Sequence, residues 1–210
     1  MEWYQLPLGP LQTNCYILSN RNNSCLIIDP GEEAEKVFRY LNQKKLKPAA
    51  ILLTHAHFDH IGAVEPIRAK YSVPVYLHTQ EKKWLTDPVL NGSRLFGMGE
   101  VKAEPADYLL SGNQDLSIGE FTFTVLETPG HSPGSISFYF QEAGLVASGD
   151  ALFQGSIGRT DLPGGSHETL LKSIHKKLLV MPEETLVLSG HGPVTTIRQE
   201  MDSNPFLNGF

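Results

Sequence analysis

The chain is poor in cysteine: Cys15 and Cys25 are the only two in 210 residues. Two thiols can close at most one disulfide, which excludes a cystine-stapled extracellular scaffold. Both lie in apolar, strand-like runs and read as reduced core thiols of a cytosolic protein, although sequence alone leaves a disulfide between them open. No run approaches the roughly 18 apolar residues that span a bilayer. The start, Met1-Glu2-Trp3-Tyr4-Gln5, lacks the basic-then-apolar pattern of an export signal. The expected location is therefore cytoplasmic, with no membrane partner. Charge is sparse too, at 19% of residues with a net −6, so the basic surface that a nucleic-acid partner requires is missing. Low-complexity runs are absent, which argues against long disordered tails. At 40% hydrophobic, the chain can bury one substantial core, and a single domain over residues 1–210 is expected.

What the chain does have is a concentration of histidine and aspartate. The run Ala49-Ala50-Ile51-Leu52-Leu53 reads as a buried strand. It delivers Thr54-His55-Ala56-His57-Phe58-Asp59-His60, after which Gly62-Ala63-Val64 opens a helix-like segment. Imidazole nitrogens and carboxylate oxygens are the ligands that zinc, iron and manganese take from proteins. Buried together without a cation, such groups would be costly. A solvated polar loop is the bland alternative, and the groups that recur further along the chain weigh against it.

His131 lies in the turn-rich Thr128-Pro129-Gly130-His131-Ser132-Pro133-Gly134, after a strand-like run. Asp150 ends Gly144-Leu145-Val146-Ala147-Ser148-Gly149-Asp150. His191 closes Thr185-Leu186-Val187-Leu188-Ser189-Gly190-His191-Gly192. Singly, His131 or His191 reads as an ordinary hydrogen-bonded histidine. Each group, however, follows a strand and sits beside glycine, which lets backbone approach closely. In open α/β sheets, strand ends are where ligands collect.

Coarse periodicity places these groups. Residues 14–18 and 25–29 read as paired strands joined by Asn20-Arg21-Asn22-Asn23. Residues 32–45 read as a helix with Val37, Phe38 and Leu41 on one face, acidic residues first and lysines last. Residues 73–77 form another strand, and 114–118, 121–126, 136–140 and 145–147 a second, antiparallel group. Residues 166–179 read as a helix capped by Ser166, with Leu170, Leu171, Ile174 and Leu178 on one face. Two groups of strands with helices between and after them suit an α/β (α+β) fold of two sheets sandwiched by helices.

The chain resembles the metallo-β-lactamase-fold hydrolases, whose His-x-His-x-Asp-His signature stands here as His55, His57, Asp59 and His60. The later ligands of that family match His131, Asp150 and His191, and the likeness runs from about Leu11 to about Pro193. Within the superfamily it is most similar to the small glyoxalase II-like hydrolases, on Gly9-Pro10-Leu11-Gln12-Thr13-Asn14-Cys15-Tyr16 and Gly155-Ser156-Ile157-Gly158-Arg159-Thr160-Asp161. The resemblance implies a four-layer αββα sandwich holding two divalent ions, zinc by default with iron or manganese as alternatives. His55, His57 and His131 would hold one ion; Asp59, His60 and His191 the second; Asp150 would bridge them. A water shared by two such ions loses its proton near neutral pH and can attack a carbonyl, so Asp150 and Asp59 are the expected catalytic carboxylates. Asp59 could orient the attacking water as well as ligate.

The implied substrate is a thioester or other small acyl compound. Glyoxalase II carries a Gly-Lys-Phe-Tyr-like stretch where Gly158-Arg159-Thr160-Asp161 stands, so a cation remains and the tyrosine is lost. Phe210 comes only 19 residues after His191, too few for that enzyme's C-terminal helical domain, which puts a glutathione thioester in doubt. Arg159 and Asp161 read either as substrate contacts or as a local ion pair shaping their loop. A persulfide dioxygenase is the rival enzyme, with one iron on His131, Asp150 and His57 or its neighbour. A metal-binding module with a vestigial site is the non-enzymatic rival, opposed by the seven filled ligand positions. β-Lactamase action ranks lower because nothing points to export, and the nuclease members need an inserted domain. His78 reads as a surface or capping residue, and His167 and His175 as ordinary helix residues.

Overall fold

Strand pairing at the start of the chain follows from its alternating and apolar runs. The computed structural model describes residues 1–97 and 99–207. By contacts the chain divides into two compact units: residues 1–110 with 118–121, and residues 111–117 with 122–210.

The first unit is built on a six-stranded sheet in the order β1-β2-β3-β4-β5-β6. Its strands are β1 (Glu2–Leu8), β2 (Thr13–Ser19), β3 (Ser24–Ile28), β4 (Lys47–Leu52), β5 (Val75–His78) and β6 (Tyr108–Leu110). β1, β2 and β3 pair antiparallel, and β3 to β6 run parallel. Helices α1 (Ala34–Lys44), α2 (Phe58–Ile61) and α3 (Val64–Tyr71) provide the crossovers. α1 is shorter at its start than the sequence suggests, because Glu33 takes a left-handed conformation (φ 51°) and the helix begins after it. Val37, Phe38 and Leu41 are buried as the periodicity requires, each burial contributing about 1.5–3 kcal/mol relative to exposure. Parallel pairing matches Ile28 with Leu52, so the segments leaving β3 and β4 emerge side by side. Asp29 and the histidine-rich loop follow at that edge.

The second unit carries a sheet in the order β14-β13-β10-β9-β8-β7. Its strands are β7 (Gln114–Ile118), β8 (Phe121–Glu127), β9 (Ile136–Phe140), β10 (Leu145–Gly149), β13 (Leu186–Ser189) and β14 (Thr195–Thr196), with β11 (Leu152–Phe153) and β12 (Ser156–Ile157) as a separate small hairpin. The predicted antiparallel group is found, but β10 and β13 pair parallel, matching Gly149 with Ser189. Asp150 and His191 therefore leave neighbouring strands at one edge. Ser166 caps α4 (His167–Ser173), its Oγ accepting from the Thr169 N–H at 3.3 Å. The predicted helix over 166–179 does not stay α-helical: a π-helical turn, Ile174–Leu178, completes it. The widened turn still buries Leu170, Leu171, Ile174 and Leu178 in the core of this unit. Helix α5 (Ile197–Ser203) and strands β1, β6 and β14 had no clear signal, being short or, in β1, half exposed.

Cys15 and Cys25 are both buried and free. Burial pushes the Cys25 thiol up to about 12 and the Cys15 thiol well above its ordinary value, with Asp29 and Cys25 adding to the latter. A raised pKa keeps the unreactive thiol form until the pH passes it. A disulfide-exchange reagent at pH 8 should find no reactive thiol in the native protein and two after guanidinium unfolding. Rapid stoichiometric reaction of the native protein would contradict this burial.

Candidate metal centre

In the first unit, His55 and His57 leave β4 and Asp59 and His60 lie in the first turn of α2. His55, His57 and His60 are buried, and their rings crowd together, with centroids 4.8 Å apart for His55–His57 and 4.1 Å for His55–His60. Two contacts orient His55 and His60. Asp29 accepts from the Thr54 N–H at 2.8 Å and the Thr54 hydroxyl at 2.6 Å, and its Oδ2 lies 3.1 Å from His60 Nδ1. With its own proton given to Asp29, Thr54 Oγ1 is left to accept from His55 Nδ1 at 3.1 Å. Asp29, His55 and His60 thus form a trio of possible metal donors whose ligand atoms lie within 4.8 Å of one another. Asp29, however, already accepts three hydrogen bonds from protein, so it serves as an anchor for the histidines. A carboxylate or hydroxyl on Nδ1 fixes the tautomer and leaves Nε2 as the metal donor.

Further buried groups hold the same loop. Glu81, fully buried, accepts from the Ala56 N–H at 2.6 Å, between the two histidines. The Phe58 N–H donates to the Asn91 carbonyl at 3.0 Å, and His57 lies 5.4 Å, ring to ring, from Trp84. Gly31 is required by approach: a Cβ there would lie 2.2 Å from the Asp59 carbonyl oxygen. None of Asp29, Thr54, Glu81 or Asn91 stood out in sequence. Asp29 had the one usable signal, a carboxylate ending a strand as Asp150 does.

In the second unit, His131, Asp150 and His191 come together. His131 Nε2 and His191 Nε2 each lie 3.6 Å from the same oxygen, Asp150 Oδ2. His131 Nδ1 is 2.8 Å from the Arg159 carbonyl oxygen and must donate to it, so in the neutral ring the Nε2 lone pair faces a carboxylate oxygen. Two acceptors facing each other repel unless a cation lies between them. Ligand atoms about 2.1 Å from one ion at a tetrahedral angle are about 3.4 Å apart, close to the spacing seen. The donors in this unit fit a divalent metal ion.

Arg159 and Asp161 form a two-pronged ion pair, Nε–Oδ1 2.7 Å and Nη2–Oδ2 2.8 Å. The guanidinium holds the Asp161 carboxyl down at about 2. Both side chains are more than half exposed, so the pair adds little net stability. The other histidines separate cleanly. His78 is buried and caps a short 3₁₀ turn by accepting from the Gln80 N–H, while His167 is exposed and His175 partly so.

Comparison with known proteins places this geometry. Residues 8–191 match the metallo-beta-lactamase superfamily. The chain belongs to that superfamily. A probable metallo-hydrolase of Bacillus subtilis, YqgX, is 59% identical over 210 residues, covering 100% of this chain and 99% of that protein. The hydroxyacylglutathione hydrolase GloC of Haemophilus influenzae is 37% identical, covering 97% and 96%. Among solved structures, the BLEG-1 B3 metallo-β-lactamase superposes with a TM-score of 0.97 at 58% identity, covering 99% of this chain and 100% of that one. A di-iron-bound form of TTHA1623 gives 0.84 at 42% identity, covering 97% and 100%. The α/β metallo-β-lactamase fold expected from the sequence is the fold of these neighbours, and the chain is a metal-binding hydrolase of that fold. Among the described residues no helix is long and apolar enough to cross a membrane.

Gly158 ties the Arg159 loop to the metal candidates, because a Cβ there would lie 1.9 Å from the Asp150 carbonyl oxygen and 3.2 Å from His131 Cβ. Gly158→Ala should therefore destabilise the fold by about 1–3 kcal/mol, the usual cost of overpacking, read by urea unfolding. It should also lower the divalent metal retained per chain. A variant matching the parent on both counts would mean that the loop yields freely.

Proposed function

We propose that the chain is a dinuclear zinc hydrolase of thioesters or related small acyl compounds. The observation that carries this reading is the pair of imidazole nitrogens facing one oxygen of Asp150, each at 3.6 Å, as a bridging carboxylate requires. His55, His57 and His131 are the proposed ligands of one ion and Asp59, His60 and His191 of the other. The di-iron neighbour makes iron the competing metal. Divalent ions supply acidification of a bound water and polarisation of the substrate carbonyl.

The chain's own residues then have defined tasks. Asp29, Thr54 and the Arg159 carbonyl each take the Nδ1 side of one imidazole, which leaves Nε2 as the side that ligates. Asp59 orients the attacking water through its carboxylate. No serine or cysteine nucleophile is required, which agrees with the buried, protonated state of both thiols. Arg159 is proposed to meet an anionic group of the substrate with the guanidinium edge that Asp161 steadies. Thioester chemistry is supported by the named activity of GloC. Hydrolysis of a β-lactam amide is the second reading, favoured by the BLEG-1 neighbour.

Metal-replete protein should carry two ions per chain and hydrolyse a hydroxyacylglutathione faster than a β-lactam. Asp150→Ala should lose several orders of magnitude in kcat/KM together with bound metal, whereas exposed His167→Ala should match the parent. One iron per chain with oxygen uptake on a persulfide, and no gain with zinc, would replace the hydrolase with a dioxygenase. Arg159 has its own test. Arg159→Ala should raise KM about 10–100-fold for an anionic thioester, the loss of one charge-assisted contact of about 1.5–3 kcal/mol, and little for a neutral one. Equal losses on both substrates, repeated in Asp161→Ala, would leave the pair only a loop-shaping role.

A further inference from the structure

Thr13 lies outside the metal motif, yet its hydroxyl donates to Asp59 Oδ2 at 2.9 Å across 46 residues of sequence. It is fully buried and is the first residue of β2, paired with Leu8 at the mouth of the β1–β2 hairpin. The turn that delivers it is tightly specified. Gln12 takes a left-handed φ of 54°, and both its backbone N–H and its side-chain amide donate to the Gly9 carbonyl, at 3.2 and 2.6 Å. The Gly9 N–H in turn donates to the Glu33 carboxylate at 2.8 Å. On the other side, Gly31 admits the Asp59 backbone so closely that a Cβ there would also meet Thr13 Cβ at 3.3 Å. Asp59 therefore packs its backbone closely on Gly31 and has its carboxylate held by Thr13. The oxygen that receives the hydroxyl also lies 3.6 Å from His60 Nε2.

We propose that Thr13 is a positioning residue for Asp59, fixing the rotamer of its carboxylate and thereby setting the affinity of the ion that Asp59 helps to hold. The proposal rests on the ligand role assigned to Asp59 above. A carboxylate free to rotate between orientations must be ordered when an ion binds. One already held by a charge-assisted hydrogen bond from a hydroxyl presents its oxygens without that cost. The rival account is that Thr13 merely fills volume in a buried strand. Valine separates the two, having the same branched shape without the hydroxyl, while serine keeps the hydroxyl and drops the methyl.

The test is dialysis of zinc-replete protein against graded chelator, with retained zinc counted per chain. Thr13→Val should release its weaker equivalent at about 10–100-fold lower chelator concentration, and Thr13→Ser should track the parent. With excess zinc, Thr13→Val should regain turnover with an unchanged KM for the thioester. Parent-like retention in Thr13→Val, or equal losses in the valine and serine variants, overturns the proposal. A parent that holds a single equivalent sinks the dinuclear reading. Thr13 keeps its role in that case only if the valine variant weakens that one equivalent. Should Thr13→Val fail to fold by thermal melting, Thr13→Ala removes the same hydroxyl with less apolar bulk and is read the same way.

Discussion

Everything at the candidate centre depends on which nitrogen of each buried imidazole the protein has already claimed. A histidine ring offers two nitrogens, and in the neutral form one donates while the other accepts. His60 and His55 point Nδ1 at the Asp29–Thr54 pair and His131 points Nδ1 at the Arg159 carbonyl. In the neutral ring the opposite nitrogen then carries the lone pair. Where such a lone pair faces a carboxylate, as His131 Nε2 faces Asp150, a metal ion between them turns repulsion into ligation. That asymmetry separates a metal site from an ordinary polar cluster, in which donors and acceptors would alternate.

Backbone pairing explains how residues so far apart in sequence reach those positions. In the first unit β3 and β4 run parallel in register, which lines up Asp29 with the Thr54–His55 loop. In the second, β10 and β13 do the same for Asp150 and His191, locked by the Gly190 N–H donating to the Gly149 carbonyl at 2.8 Å. The His131 loop is clamped by α4. The Ser173 hydroxyl donates to the Pro129 carbonyl at 2.7 Å, and a Cβ on Gly130 would fall 2.3 Å from the Leu170 nitrogen. The two units thus use one device, a polar residue placed just past the end of a parallel strand. Glycine follows where backbones must touch.

Much of this was legible in the sequence because candidate ligands and strand ends are both local signals. An apolar run stopping at His or Asp is visible without knowing what pairs with what, and the helical faces of 32–45 and 166–179 emerged from periodicity alone. The supports were not legible. Glu81 sits in a segment without periodicity and acts through one carboxylate oxygen on the Ala56 N–H, a contact that no spacing encodes. Thr13 is an unremarkable strand threonine until the hairpin turn is known. The parallel pairing of β10 with β13 was also hidden, since a run of four or five apolar residues looks alike in either direction. The π turn at Ile174–Leu178 keeps the same residues buried as an α-helix would, so hydrophobic spacing does not reveal it.

Substrate choice has to be carried by something other than the metal ligands, because fold and ligands host several chemistries. YqgX, GloC and BLEG-1 all match this chain nearly end to end, and their descriptions differ. The hairpin β11–β12, which leads into Gly158 and Arg159, is where such a difference can sit. It is not a soft loop. Buried Glu200 accepts from the Gly155 N–H at 2.8 Å and from Thr195 and Asn204, and Asn204 also donates to the Ser156 carbonyl at 3.0 Å. Gly158 then packs on the Asp150 backbone, and the Arg159 carbonyl orients His131. Backbone in this stretch is committed to the metal candidates, so it cannot move far to suit a new substrate. The Arg159 and Asp161 side chains point out from it and remain exposed. On such a frame a difference in substrate can be carried by changing side chains at fixed backbone positions.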